Sequence, residues 1–142
     1  MAEAIETNSV RGQLRTINQA LSEGRFVSVR KQLHEMPPSD VALILESSPT
    51  KTRDDLWELL DSDFHGDVIE ELSEEVRNGI IAKMMPAKVV DALEDMDTDD
   101  LAETLSSLPE EVLQDVLQSM DAQDRHRAEQ AMSYGEETAG FI

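Results

Sequence analysis

Between Val89 and Asp124 the chain carries twelve Asp or Glu side chains and no Lys, Arg or His. Within that run, Asp95-Met96-Asp97-Thr98-Asp99 spaces three acids like the first, third and fifth positions of an EF-hand calcium loop. The pattern stops there. The sixth position, where a sharp turn needs glycine, is Asp100, and the twelfth, where a bidentate glutamate belongs, is Ser106. An EF-hand is excluded, and the stretch reads instead as a helix ending near Met96, a tight turn, and a new helix starting at Asp99. On that helix Asp99 and Glu103, four residues apart, share one face, while Leu101 and Leu105 turn toward the core. Like charges at this spacing weaken a helix by a few tenths of a kcal/mol. A hard divalent cation would relieve the repulsion, and Mg2+ suits such a pair because it keeps several waters and bridges through one or two carboxylates. The alternative is a solvated, solubilising acidic face that needs no ligand. The residues alone leave both readings open.

Other chemistry is harder to place. His34, His65 and His126 stand far apart, with no second ligand at metal spacing beside any of them, and each reads as a surface or boundary residue. With no cysteine, disulfides, thiolate zinc sites and cysteine nucleophiles are excluded. No glycine-rich phosphate loop, Gly-x-Ser-x-Gly elbow or His-Glu-x-x-His helix occurs. The expectation is a chain that is not an enzyme.

The elements that carry the carboxylates follow from a recurring phrase: a capping residue or proline, two polar residues, then Val or Leu. Clear cases are Pro38-Ser39-Asp40-Val41, Ser73-Glu74-Glu75-Val76, Thr98-Asp99-Asp100-Leu101 and Pro109-Glu110-Glu111-Val112. Pro86-Ala87-Lys88-Val89 and Thr52-Arg53-Asp54-Asp55-Leu56 are variants. Ser and Thr oxygens would satisfy the orphan amides of a helix start, proline fits a first turn, and acids complement the positive helix end. Apolar residues then recur at helical spacing, as in Val41/Ile44/Leu45, Val76/Ile80/Ile81 and Val112/Val116/Leu117. Earlier helices are expected over Val10 to Leu21, ending near Gly24, and over Phe26 to Met36, stopped by Pro37-Pro38.

No stretch alternates apolar and polar residues over a strand length, so the fold class is all-α. Each helix is only two or three turns long, too short to stand alone, and must bury its stripe on neighbours in a solenoid-like stack. The 142 residues, with 39% hydrophobic and 30% charged side chains, suit one soluble folded domain, placed over residues 1–133. Residues 134–142, with two glycines and no helical stripe, read as a linker. Neither a signal peptide nor a run of about 20 apolar residues is evident, so a soluble, cytosolic chain is expected. The net charge of −19 is uneven: residues 1–53 carry seven Lys/Arg against six Asp/Glu, residues 54–142 five against 25. Such a surface repels nucleic acid and anionic lipid and attracts cations or basic partners.

The run Lys88-Val89-Val90-Asp91-Ala92-Leu93 through Asp99-Asp100-Leu101-Ala102-Glu103-Thr104-Leu105 resembles the intracellular N-terminal domain of MgtE magnesium transporters. Tyr134-Gly135-Glu136-Glu137-Thr138-Ala139-Gly140 resembles the Tyr-x-x-x-x-Ala-Gly segment at which that family's first CBS domain begins. The resemblance covers most of the chain, best from Asp67 onward. It implies a right-handed superhelix of short helices, with residues 134–142 opening a truncated CBS domain. It further implies a domain on the cytoplasmic side of the cell membrane, not itself inserted, in a homodimeric channel. Mg2+ bound weakly between this domain and the CBS domains of the same polypeptide would hold the pore closed.

The family's ligand positions fall on Asp99, Glu103 and Asp67, the last preceding Val68-Ile69, with Asp95 a looser candidate. Glu103 stands where Asp is familiar, and Asp67, after Gly66, where Glu is familiar. A second expectation is a protein-interaction module, since the repeats, including the phrase near Asp40, also resemble the flagellar motor switch protein.

Overall fold

A computed structural model describes the backbone of residues 9–140 and the side chains of residues 9–133. Ten α-helices and no strand occur among the described residues. They are α1 (Val10–Ser22), α2 (Phe26–His34), α3 (Pro38–Glu46), α4 (Thr50–Leu59), α5 (His65–Glu71), α6 (Glu74–Lys83), α7 (Pro86–Leu93), α8 (Thr98–Ser106), α9 (Glu110–Gln118) and α10 (Ala122–Gly140), with a 3-10 turn, Ser62–Phe64, before α5. The all-α expectation holds. The chain divides into two compact units, Met1–Leu72 and Ser73–Ile142, where the sequence reads as one helical domain over 1–133.

In the first unit, α1 ends on Gly24 at φ 74°, with Arg25 N–H donating to Ala20 O (2.9 Å) and Gly24 N–H to Leu21 O (3.0 Å). This is a Schellman motif, in which only glycine adopts the left-handed conformation without a Cβ penalty. Pro38 opens α3 in its first turn, where its missing N–H costs nothing. Packing of α3 on α5, α1 on α2 and α2 on α4 buries Ile17, Val29, Leu33, Ile44, Leu45, Leu56, Val68 and Ile69.

In the second unit, α8 packs on α10 and α7 on α9, each helix against its second neighbour, as stacked short helices must. The core there is Ile81, Val89, Leu93, Leu101, Leu105, Val116, Leu117 and Ala128.

Two local expectations change. Ser73 and Asp97 occupy the positions before α6 and α8, yet neither side chain makes a capping bond, and Pro37, Pro49 and Pro109 do the same duty for α3, α4 and α9 without a side-chain acceptor. Thr98 and Thr52 lie inside first turns rather than before them. The common device is an extended backbone residue whose carbonyl takes the first helical bond, as Pro37 O does from Val41 N–H (3.1 Å) and Asp97 O from Leu101 N–H (2.8 Å). Side-chain capping occurs at α1, where Ser9 Oγ accepts from Gly12 N–H (3.2 Å), and at α10, where Asp121 Oδ1 accepts from Asp124 N–H (2.7 Å). Residues 134–140, read as linker, continue α10 as helix. Their glycines weaken a helix without forbidding it.

Candidate cation-binding face

Helix α8 presents two different faces. Leu101 (2% exposed), Thr104 (2%) and Leu105 (0%) are locked inward, while Asp99 and Glu103 are exposed on the face between them and solvent. Asp99 and Asp100 lie in the first turn, where the positive end of the helix favours acids and offsets part of their mutual repulsion.

Both ends of α8 are tied down. At its C-terminal end, Asn78 Nδ2 donates to Ser107 O (2.8 Å) and Arg77 Nη2 to Ser107 Oγ (2.9 Å), both from α6, and Ser107 Oγ donates to Thr104 O (3.0 Å). A guanidinium there also complements the negative helix end. Ahead of its N-terminal end, Arg127 of α10 donates to Met96 O, and Thr104 Oγ1 reaches Met96 Sδ at 3.7 Å. The turn between α7 and α8 is therefore held from outside and from within, and Asp95 and Asp97 project from it into solvent. Arg127 is the residue that sequence reading missed here: no cation lies near in the chain, and the fold brings one from α10.

Asp67 lies in the first turn of α5, exposed beside buried Val68 and Ile69, and so belongs to the first unit. Gly66 falls inside that helix, which already begins at His65. Asp95, Asp99 and Glu103 belong to the second unit. Among the described residues, no group of three or more His, Asp or Glu side chains is placed to hold a metal ion by itself. Two carboxylates on one helix face supply part of a cation's shell and leave the remainder to water or to another surface.

The structure also gathers histidines that the sequence leaves isolated. His34 Nε2 accepts from Asp61 N–H (2.9 Å), and its ring meets Phe64 with centroids 4.8 Å apart. His65 stacks on Trp57 at 4.0 Å. The Asp61 carboxylate accepts from Asp63 N–H (3.0 Å) and pairs with Arg30 Nη2 (3.2 Å). That backbone hydrogen bond holds the Asp61 carboxyl below its ordinary value; burial opposes it, and the nearby Arg30, His34 and His65 add smaller contributions to the lowering. The cluster fixes the bend from α4 through the 3-10 turn into α5, and so places the first turn that bears Asp67. The signal available in sequence was Asp61-Ser62-Asp63, a turn former whose side chain caps its own loop.

With this geometry in hand, residues 36–137 match the family described as the MgtE intracellular N domain. This chain belongs to that family. The matched span runs from just before α3 into α10 and contains Asp67, Asp95, Asp99 and Glu103. The magnesium transporter MgtE of Bacillus subtilis (strain 168) is 32% identical over 120 residues, which is 84% of this chain and 27% of that protein. A crystal structure of the soluble part of a magnesium transporter superposes with a TM-score of 0.73 at 17% identity, over 86% of this chain and 48% of that one. That likeness establishes the shared fold. The chain thus spans about a quarter of the Bacillus protein's length and about half of the solved chain. Among the described residues, no helix is long and apolar enough to cross a membrane.

Proposed function

We propose that this MgtE N domain is a regulatory, magnesium-sensing element on the cytoplasmic side of a magnesium transporter. The α8 face supplies half of a weak Mg2+ site. Asp99 and Glu103 are its ligands, with Asp95 at its edge; Asp67, on the first unit, is a ligand in its own right. CBS domains of the same polypeptide, in a homodimeric protein, supply the other half.

The observation that carries the reading is that Asp99 and Glu103 stand exposed, one turn apart, on a helix locked at both ends, within twelve carboxylates uninterrupted by a basic residue. Two acidic surfaces repel each other, and an ion shared between them lowers that repulsion only when they are together. Such a ligand shifts the equilibrium toward the closed arrangement because its affinity differs between the two states. Membership of a transporter family favours this over the motor-switch interaction module.

The test uses the polypeptide in which this chain is joined to its CBS domains and pore. Added Mg2+ should slow cleavage by a protease with a defined midpoint. Asp99→Ala with Glu103→Ala should move that midpoint to higher Mg2+ by about fivefold or more. An unmoved midpoint removes these ligands, and protection that ignores Mg2+ altogether removes the sensing function.

A further inference from the structure

Helix α10 sends two arginines in different directions. Arg125 pairs with Glu129 on its own helix, Nε to Oε1 at 3.3 Å. Arg127 instead reaches the carbonyl of Met96, thirty-one residues away, a neutral acceptor, from a pocket that it lines together with Glu94 and Asp124. Met96 is itself 3% exposed and held by Thr104, so the guanidinium is fixed against a rigid point. Asp95 and Asp97 adjoin that point, and Asp99 follows three residues on. Three residues of chain span at most about 11 Å, so the Met96 backbone that holds the guanidinium lies within about that distance of the Asp99 backbone.

We infer that Arg127 sets the cation affinity of the α8 face, acting as a resident monocation that keeps divalent binding weak. The inference rests on the magnesium-sensing reading of Asp99 and Glu103. A fixed positive charge lowers the negative potential that an arriving cation feels, and a divalent ion feels it twice over. At such a range in water, Coulomb's law makes the difference worth a factor of about four in affinity, reduced by salt. A sensor must release its ion when the ion becomes scarce, and without this counter-charge the same acids would release it only at about fourfold lower free Mg2+. Arg127 supplies that counter-charge through the fold. Because it binds a carbonyl, it blocks no carboxylate oxygen.

The experiment measures the MgCl2 midpoint of protease protection in the same full polypeptide, at low monovalent salt and at about 0.15 M. Arg127→Gln should lower the midpoint about two- to fivefold at low salt, with the gap narrowing at the higher salt. Arg127→Lys, which keeps the charge, should stay close to wild type. Gln123, exposed one turn earlier on α10, offers a second arm that leaves the Met96 bond in place. Gln123→Lys should raise the midpoint by a similar factor. An Arg127→Gln midpoint that rises or stays put, or a Gln123→Lys midpoint that does not rise, overturns the inference: Arg127 is then a structural clamp alone. Loss of the Asp99/Glu103 effect in the parallel measurement instead overturns the sensing reading on which the inference stands.

Discussion

The two units are built from the same short helices but tie their helix junctions differently. Each uses polar bonds between residues roughly thirty apart. In the first unit they converge on Asp61, from Arg30 and His34, inside a cluster that includes Phe64. In the second they run from Arg77 to Ser107 and from Arg127 to Met96, onto neutral oxygens. The first unit thus cancels a carboxylate at its bend, while the second leaves the carboxylates of α8 facing solvent. The charge balance amplifies the contrast. The first unit has seven Lys/Arg for fourteen Asp/Glu, the second five for seventeen. A helix that must present carboxylates to a cation cannot be held by ion pairs to those same carboxylates, and arginine-to-carbonyl bonds are one way to hold it.

The sharpest way to separate the units is through their cores. Leu56 in the first and Leu105 in the second are both 0% exposed, and truncating either to Ala should cost about 2–5 kcal/mol in chemical denaturation. Trp57, the only tryptophan, is buried in the first unit, so its fluorescence reports that unit while far-UV circular dichroism reports both. Leu56→Ala should shift the fluorescence midpoint more than Leu105→Ala does. Equal shifts by both probes for both variants would mean that the units unfold as one body, which would break the comparison.

The arginine ties give a smaller effect with a distinctive sign. Arg77 is 5% exposed, and its Nε is buried without a partner, so its guanidinium is only partly satisfied. Arg77→Ala should cost about 2 kcal/mol through lost packing and the lost bond to Ser107. Arg77→Met, which fills much of the same space without burying a charge, should cost less than half as much. In the first unit, Arg53 donates to Leu45 O (2.8 Å) and Ser48 O (3.2 Å) from a half-buried position with more access to water, and Arg53→Met should recover less of the loss of Arg53→Ala. If methionine fails to rescue position 77, the bond to Ser107 matters more than the packing of the stem.

The same contrast explains what could be read from the sequence. The helices were legible because proline, Gly24 and the spacing of Val, Ile and Leu are local signals, and so were the exposed Asp99 and Glu103 opposite Leu101 and Leu105. The capping was misread, because a Ser or Thr before a helix supplies an oxygen only if its rotamer points back, which composition does not reveal. Residues 134–142 were read as a linker for their two glycines, but a glycine costs a helix only about 1 kcal/mol, and α10 runs through Gly135 to Gly140. The ties at Asp61, Ser107 and Met96 join residues 27 to 31 apart, and no local pattern encodes them. Asn78-Gly79 shows the same limit. Elsewhere a hairpin signal, here it lies inside α6, with Asn78 bonded to Ser107 O. A division into two units likewise depends on which helices pack together, and the repeating phrase runs through Leu72 and Ser73 without a break.

The smallest effect is a titration. The backbone N–H of Asp63, with the neighbouring Arg30, His34 and His65, favours ionised Asp61 over the opposing effect of burial, so its folded-state value lies below the ordinary 3.8. A depressed carboxyl stabilises the fold above its unfolded-state value and loses that contribution as pH falls through its folded-state value. The difference in unfolding stability between wild type and Asp61→Asn should therefore be flat near neutrality, shrink as pH drops below about 3.8, and vanish at lower pH. The side chain keeps 36% of its surface exposed, so solvent screening makes the difference small. Measured by Trp57 fluorescence, it reads the first unit, the one whose bend is closed by a cancelled charge. An acid dependence of stability that Asp61→Asn leaves unchanged would mean that the Asp61 cluster places the bend without stabilising it, and that the first unit does not use a cancelled charge to hold its fold.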